Sequence, residues 1–369
     1  MSTPTPRRRA ERPASRSPID WAHRRVESWT EQWPERWTAW KSRAEAVGRS
    51  RVPLFVWVGI VMAGTAMLVC AMVPVGPEWF GGVGSVAVSS AYVWGLAVRT
   101  GGRPVVFGCL ALAMGITVLV LDRESLRTGA AVLTCVVTAV LAVMATVPAV
   151  RLRHAAREAT YATGLAAIGS LAVVGFEPVI TLARFEYTTL ALALLGAFGV
   201  VYRLGAGLHG LGRRGTLTVV IGAALLAVTL AYAELLREYG TEGVVSTLFD
   251  AVGWTRTHLG AFPRPIETLL GIPALAWGCH MRARRRQGWW VCAFGVAATA
   301  SVSQALLNPS VSLLESGLSV LYGLAVGLVL GFLVIRTDLA LTGPRGARAR
   351  RAEEAAAVRP EPRRTRALL

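Results

Sequence analysis

The sequence predicts an all-α, polytopic integral membrane protein with about ten transmembrane helices and both termini in the cytoplasm. Three observations predict this class: 53% of the 369 residues are apolar, only 17% are charged, and the charges lie at the two ends and in short runs. Water-soluble domains carry about 25% charged residues. A water-soluble globule is therefore excluded, and the long apolar stretches must lie in a bilayer.

The apolar stretches define a transmembrane domain over residues 53–335. A membrane-spanning helix needs about 20 mostly apolar residues. Ten stretches meet this requirement: 53–74, 81–98, 104–121, 129–150, 158–176, 188–202, 216–236, 265–281, 288–306 and 311–335. The fifth stretch has a second candidate end at residue 183.

Basic residues divide unevenly between the connections. The two tails and four loops hold 33 of the 39 Lys and Arg residues; the loops are 99–103, 151–160, 203–215 and 282–287. Because cytoplasmic loops collect Lys and Arg, we expect these regions and both termini inside the cytoplasmic membrane. Lys41 is the single lysine among the 39, a bias typical of a GC-rich bacterial genome.

The two tails predict contact with the membrane surface. Residues 1–17 are basic and rich in Pro and Ser, which predicts disorder. Residues 18–52 carry five tryptophans, of which the last four share one helical face: Trp21, Trp29, Trp33, Trp37 and Trp40. Flanking arginines favour an interfacial helix on the anionic cytoplasmic leaflet, with docking onto a protein partner as the alternative. Residues 336–369 predict a second basic, disordered tail, with no signature of specific nucleic-acid recognition.

Glu177 is the one acidic residue of the apolar stretches with no nearby partner in sequence. It lies between Phe176 and Pro178, and proline pushes the preceding residue out of α-helical geometry. If helix five continues to residue 183, the carboxylate lies about 10 Å inside the membrane, where we expect it to bind a cation or carry a proton. If helix five ends at Phe176, Glu177 and Pro178 only terminate it. Both alternatives stay open.

Three further acids have local structural explanations. Glu234 precedes Arg237 by three residues, a pairing distance on a helix. Glu267 lies in the first turn of helix eight, where the helix dipole favours a carboxylate. Glu315 completes a capping box with Ser312. We therefore expect structural roles for all three.

Two other groups of polar residues are weaker site candidates. Gln304 and Asn308 are four residues apart and share a helical face, where such side chains usually join helices. Arg256 and His258 follow an amphipathic stretch in the 237–264 connection. They predict either an outer interfacial helix or a substrate-contacting loop in which Arg256 grips a phosphate and His258 transfers a proton.

Helix ten carries a small-residue face at a spacing of four, made of Ser319, Gly323, Gly327 and Gly331. Such a face lets another helix approach closely. Internal packing and a homo-oligomer interface explain it equally well.

The sequence contains no Walker loop, GxGxxG, GxSxG or HExxH motif, so we expect no cofactor and no metal. The five cysteines lie in apolar runs without CxxC pairs, which argues against disulfides. Our first hypothesis is a permease-like transporter or exporter. The alternatives are a membrane-embedded enzyme that handles lipid-linked cell-envelope glycans at the outer face, whose helix layout this chain loosely resembles, and a non-enzymatic scaffold.

Overall fold

The structure is a computed structural model that describes residues 51–204, 212–239, 242–284, 288–342, 348, 352 and 361–368. The five tryptophans of the N-terminal segment and the side chain of Glu234 lie outside the described residues, so the hypotheses about them stay predictions. The chain divides into two units, 1–56 and 57–369. Of the first unit the structure describes only 51–56, the beginning of the first helix.

All regular secondary structure in the described ranges is helical. The helices are α1 (Val52–Met72), α2 (Phe80–Arg99), α3 (Pro104–Leu121), α4 (Glu124–Met144), α5 (Leu152–Gly175), α6 (Leu182–Arg203), α7 (Gly212–Tyr239), α8 (Glu242–Leu259), a π-helical turn (Ile266–Gly271), α9 (Ile272–Arg282), α10 (Gly288–Ala293), α11 (Val296–Leu306) and α12 (Leu313–Thr342). Each of the ten apolar stretches overlaps one of these helices or an adjoining pair.

Eight helical segments among the described residues are long and apolar enough to span a membrane. An all-α chain with multiple membrane-compatible helices is thereby confirmed. Two of the ten predicted spans fall outside this set. Charged residues in the first turns of α5 and its many small residues lower its apolarity, and the π-helical turn with α9 comprises only 6 and 11 residues. The count of ten and the orientation of the termini stay predictions.

Contacts at its two ends show that α5 runs the length of α4. Near the beginning of α5, Glu158 accepts a hydrogen bond from the backbone N–H of Val147, just past the end of α4 (3.0 Å). Just past the end of α5, Glu177 pairs with Arg127 in the first turns of α4 (3.1 Å). The two helices are therefore antiparallel neighbours over their full length.

The segment 266–282 also runs between the two ends of the bundle. Arg264, just before it, pairs with Glu186 in the first turns of α6 (2.8 Å). At its other end Arg282 donates to Thr146 Oγ1, past the end of α4 (2.7 Å). We call the end with Arg99, Thr146, Glu158 and Arg282 the arginine end, and the other the opposite end.

The centre of the bundle is the pair α10 and α11. This stretch, Gly288–Leu306, is almost entirely buried, and α11 packs against α4, α5, α6, α12 and the π-helical turn. At the periphery, α1 and α3 expose apolar side chains such as Met62 (62% exposed) and Val120 (75%). Exposed apolar faces on this scale suit contact with lipid rather than water.

The structure describes parts of residues 336–369, for which the sequence predicts a disordered tail. Helix α12 continues to Thr342, and residues 361–368, here named the tail segment, contact the arginine end of the bundle. Leu368 N–H donates to the Arg99 carbonyl oxygen (2.8 Å), and the Leu368 side chain packs against the main core. The prediction of a solvated tail came from composition alone. Composition does not show that the folded chain offers hydrogen-bond partners at the arginine end, such as the Arg99 carbonyl oxygen.

Candidate functional site

The π-helical turn Ile266–Gly271 has a local cause in Pro273. Proline has no backbone N–H, so the Leu269 carbonyl oxygen lacks the donor that an α-helix would supply. The Ile272 N–H donates to the carbonyl of Glu267, five residues earlier, rather than to that of Thr268 as in an α-helix. Single π-helical turns occur often at functional sites, which makes the side chains on this turn candidates.

Glu267 is the side chain on this turn with the most unusual surroundings. It is fully buried (0% exposed), and neither carboxyl oxygen has a hydrogen-bond partner among the described residues. It lies against Gly323 of α12, where a methyl group built on the glycine would be 2.6 Å from Glu267 Cδ. The carboxyl group therefore faces bare helix backbone.

Arg264, one turn earlier, donates its side-chain hydrogen bonds to acceptors other than Glu267. Its guanidinium donates to Glu186 Oε1 (2.8 Å) and to the carbonyl oxygen of Ser301 (3.3 Å). The turn joins the two residues through the backbone, because the Glu267 N–H donates to the Arg264 carbonyl oxygen (3.1 Å). The arginine thus lies near the acid without bonding to it.

Buried polar side chains continue from Arg264 across the bundle. Gln304 of α11 donates to Thr189 Oγ1 and to the carbonyl oxygen of Glu186 on α6, both at 3.1 Å. Ser303 of α11 shares a hydrogen bond with Ser170 of α5 (2.7 Å). We call these residues, with Arg264, the polar layer. It links α5, α6, α11 and the entry to the π-helical turn, with Glu267 at its edge.

Glu177 lies at the opposite end of the bundle and is exposed. Helix α5 ends at Gly175, so the alternative in which helix five stops near Phe176 is the one observed. The Glu177 carboxylate is 75% exposed and pairs with Arg127, which also pairs with Asp122. Its backbone has φ +50°, the left-handed conformation common after a helix end.

Gln304 and Asn308 do not share one environment. Gln304 is buried in the polar layer, whereas Asn308 Oδ1 accepts hydrogen bonds from Ser310 N and Ser310 Oγ (3.0 and 2.7 Å) in the turn before α12. Asn308 therefore shapes a turn.

Arg256 and His258 lie on α8 and have separate partners. Arg256 pairs with Glu315 of α12 (3.2 Å), and the His258 ring stacks on Trp254 (4.6 Å between centroids). The Glu315 N–H donates to Ser312 Oγ (3.1 Å), which is one half of the predicted capping box. None of these contacts joins Arg256 or His258 to Glu177 or Glu267.

The small-residue face of α12 is covered by this chain's own helices. Gly323 lies against Glu267, Gly327 against Ile272 and Gly331 against Ala276. Ser319 Oγ donates to the carbonyl oxygen of Phe262 (2.7 Å). Internal packing therefore accounts for this face.

Sequence reasoning did not select Glu267 as a candidate because a carboxylate in a first helical turn has an ordinary explanation. The signal that would have found it is Pro273 six residues later, together with Gly323 on a distant helix. No protein-family model, curated protein or solved structure matches this chain.

Proposed function

We propose that this chain is a permease-like transporter or exporter of the cytoplasmic membrane and that the carboxyl group of Glu267 is its ion-coupling site. The observation that carries the proposal is the complete burial of that carboxyl group without a hydrogen-bond partner in the described ranges. A charged, unpaired carboxylate is costly to bury. The group is stable in this arrangement when it holds a proton or a small cation, and it must release that ion when its surroundings change.

The π-helical turn supplies a means to change those surroundings. A π-helical and an α-helical turn differ by one residue in hydrogen-bond register. Conversion of one into the other would rotate Glu267 by about 100° around the helix axis. Such a rotation would move the carboxyl group away from Gly323, as ion release in a carrier requires.

The two alternative functions have less support among the described residues. An outer-face enzyme acting on lipid-linked glycans needs convergent Arg, His and acid side chains, whereas Arg256 and His258 have separate partners. A scaffold has no use for an unpaired buried acid. Transport is the function that gives Glu267 a role.

Labelling with a hydrophobic carbodiimide tests the site without knowledge of the transported solute. This reagent reacts with protonated carboxyl groups shielded from water. In the purified full-length protein we expect labelling at Glu267, detected by peptide mass spectrometry, and none at the exposed Glu177. Labelling should decline as pH rises, and sodium should reduce it if the bound ion is Na⁺. Absence of label at Glu267 from mildly acidic to mildly alkaline pH would overturn the proposal.

Proton movement in proteoliposomes tests the function. With a trapped pH-sensitive dye, an imposed membrane potential and a mixed panel of external solutes, we expect the wild-type protein to admit protons. Glu267→Gln should abolish this movement, because an amide keeps the shape of the acid but cannot exchange a proton. Glu177→Gln is the matched control and should behave as wild type. Equal proton flux for both variants would refute proton coupling at Glu267.

A further inference from the structure

Two arginines are buried together at the arginine end, far from Glu267. Arg99 ends α2 and is 2% exposed; Arg282 ends α9 and is 1% exposed. Arg282 lies 15 residues beyond Glu267 along the same helical segment, or about 22 Å at 1.5 Å per residue. This pair is therefore separate from the proposed coupling site.

Backbone carbonyl oxygens accept most of the hydrogen bonds from these guanidinium groups. Arg99 Nε donates to Met144 O (2.7 Å), and Arg282 Nη2 donates to Thr146 O (3.1 Å). Arg282 Nη1 donates to Thr146 Oγ1 (2.7 Å). These acceptors are neutral, so they orient the two cations without balancing their charge.

Glu361 of the tail segment supplies the one carboxylate that contacts this pair in the described ranges. Both of its oxygens face Arg282, one toward Nη2 and the other 3.5 Å from Nε. This two-pronged arrangement is how arginine binds carboxylate and phosphate groups. Arg99 receives only carbonyl oxygens from the tail segment, those of Pro362, Arg363 and Arg366.

The tail segment thus places a negative charge against only one of the two arginines. One carboxylate reaches Arg282, while Arg99 is left with neutral acceptors. A phosphate group has enough oxygens to accept from both guanidinium groups at once. The tail segment is joined to α12 through residues 343–360, which are rich in Arg and Ala.

We propose that Arg99 and Arg282 form a binding site for a phosphate group and that Glu361 fills it as a displaceable internal substitute. The ligand is a free phosphate compound or the phosphate of a lipid headgroup. When it binds, the tail segment leaves, and the Arg364 contacts with Glu158 (2.6 Å) and with the Tyr161 ring (4.1 Å) break. The site is therefore both a ligand site and the docking site of the tail segment.

Thermal unfolding of the full-length protein in neutral detergent tests the site. The probe is inorganic phosphate, with chloride at equal ionic strength as the reference. Glu361→Gln removes the competing carboxylate and should raise the apparent affinity for phosphate about tenfold relative to wild type. Asp250→Asn removes an exposed acid on α8 and should leave it unchanged. Equal phosphate responses for the two variants would overturn the proposal.

Micelles doped with phosphatidic acid form the second arm. If the physiological ligand is a lipid, they stabilise Glu361→Gln more than inorganic phosphate does; if it is a free phosphate compound, the order is reversed. Either result supports phosphate recognition, and a response to neither probe refutes it. Arg282→Lys keeps the charge but loses the planar fork, so it should lose the response while still folding.

Limited trypsin digestion tests displacement of the tail segment. Phosphate at saturating concentration should accelerate cleavage after Arg364 in the wild-type protein, measured by mass spectrometry of the released peptides. A cleavage rate that is independent of phosphate would show that the tail segment does not leave, and would refute its role as a displaceable substitute.

Discussion

The side chains of Glu177 and Glu267 have opposite surroundings, since the first is exposed and the second is fully buried. Glu177 is exposed, paired with Arg127, and has a left-handed backbone. An exposed ion pair contributes at most about 1 kcal/mol, so its charge has little structural weight. The left-handed conformation matters more, because it costs about 1–2 kcal/mol for most side chains and least for Gly, Asn and Asp.

The first prediction concerns the backbone at Glu177. Glu177→Asn should leave the free energy of unfolding nearly unchanged, since asparagine tolerates φ +50°. Glu177→Val should lower it by about 1–2 kcal/mol, because a β-branched side chain does not. Thermal unfolding in detergent measures both. Equal stability of the two variants would show that this φ value has no energetic consequence.

Reasoning from neighbouring residues in the sequence selected Glu177 as the candidate site and gave Glu267 a structural role, the reverse of our proposal. It explained Glu267 by its place in a first helical turn and found no partner for Glu177. The partner of Glu177 is Arg127, 50 residues away, and the surface that isolates Glu267 belongs to Gly323, 56 residues away. Partnership between distant residues depends on tertiary packing, which hydropathy and spacing do not encode.

Helix α12 contains a matched pair of glycines for the second prediction. A methyl group on Gly323 would lie 2.6 Å from Glu267 Cδ, whereas one on Gly317 would meet open space. Gly323→Ala should therefore destabilise the protein by about 1–3 kcal/mol through overpacking. Gly317→Ala should be neutral or stabilising by up to about 1 kcal/mol, because alanine favours helix. Thermal unfolding of both single variants provides the comparison.

A double-mutant cycle shows whether the Gly323 effect is transmitted through Glu267. Glu267→Ala removes the carboxyl group that the new methyl would touch. In the Glu267→Ala background, Gly323→Ala should therefore lower the free energy of unfolding much less than it does in the wild-type protein. Additive effects would mean that the two residues are not in contact.

The N-terminal segment carries the third prediction. A peptide of residues 18–47 should gain helix and shift its tryptophan emission to the blue on vesicles containing anionic lipid, because its tryptophan face is flanked by arginines. Salt should weaken this binding by screening. Equal binding to neutral vesicles would remove the electrostatic part of the hypothesis, and no binding to either would favour a protein partner.

The positions of the helices were predictable because apolar length is a local property. Every predicted stretch overlaps a helix, with ends displaced by a few residues, as for 129–150 against Glu124–Met144. The break in 266–282 was not predicted, although Pro273 provides its cause in the sequence. The docking of the tail segment was unpredictable for another reason: it depends on Arg99 and Arg282 being buried together at the ends of separate helices.

Regions that the charge pattern assigns to one side of the membrane also lie at one end of the bundle in the structure. Arg99, Glu158, Arg282 and the tail segment meet at the arginine end, and all belong to regions predicted to be cytoplasmic. Glu177, Arg127 and Glu186 lie at the opposite end. This agreement is independent of hydropathy, and it requires α5 and the 266–282 segment to cross the bundle as the other helices do.

The last prediction decides between ten membrane crossings and eight. If α5 and the 266–282 segment do not cross, reporters fused after residues 79 and 125 still report outside and the C-terminus still reports inside. Residue 245, however, moves from outside to inside, because one crossing before it is lost. We expect fusions to paired reporters, one active only outside and the other only inside, to place residue 245 outside. An inside result at that position would leave the helical bundle intact but remove α5 from the membrane.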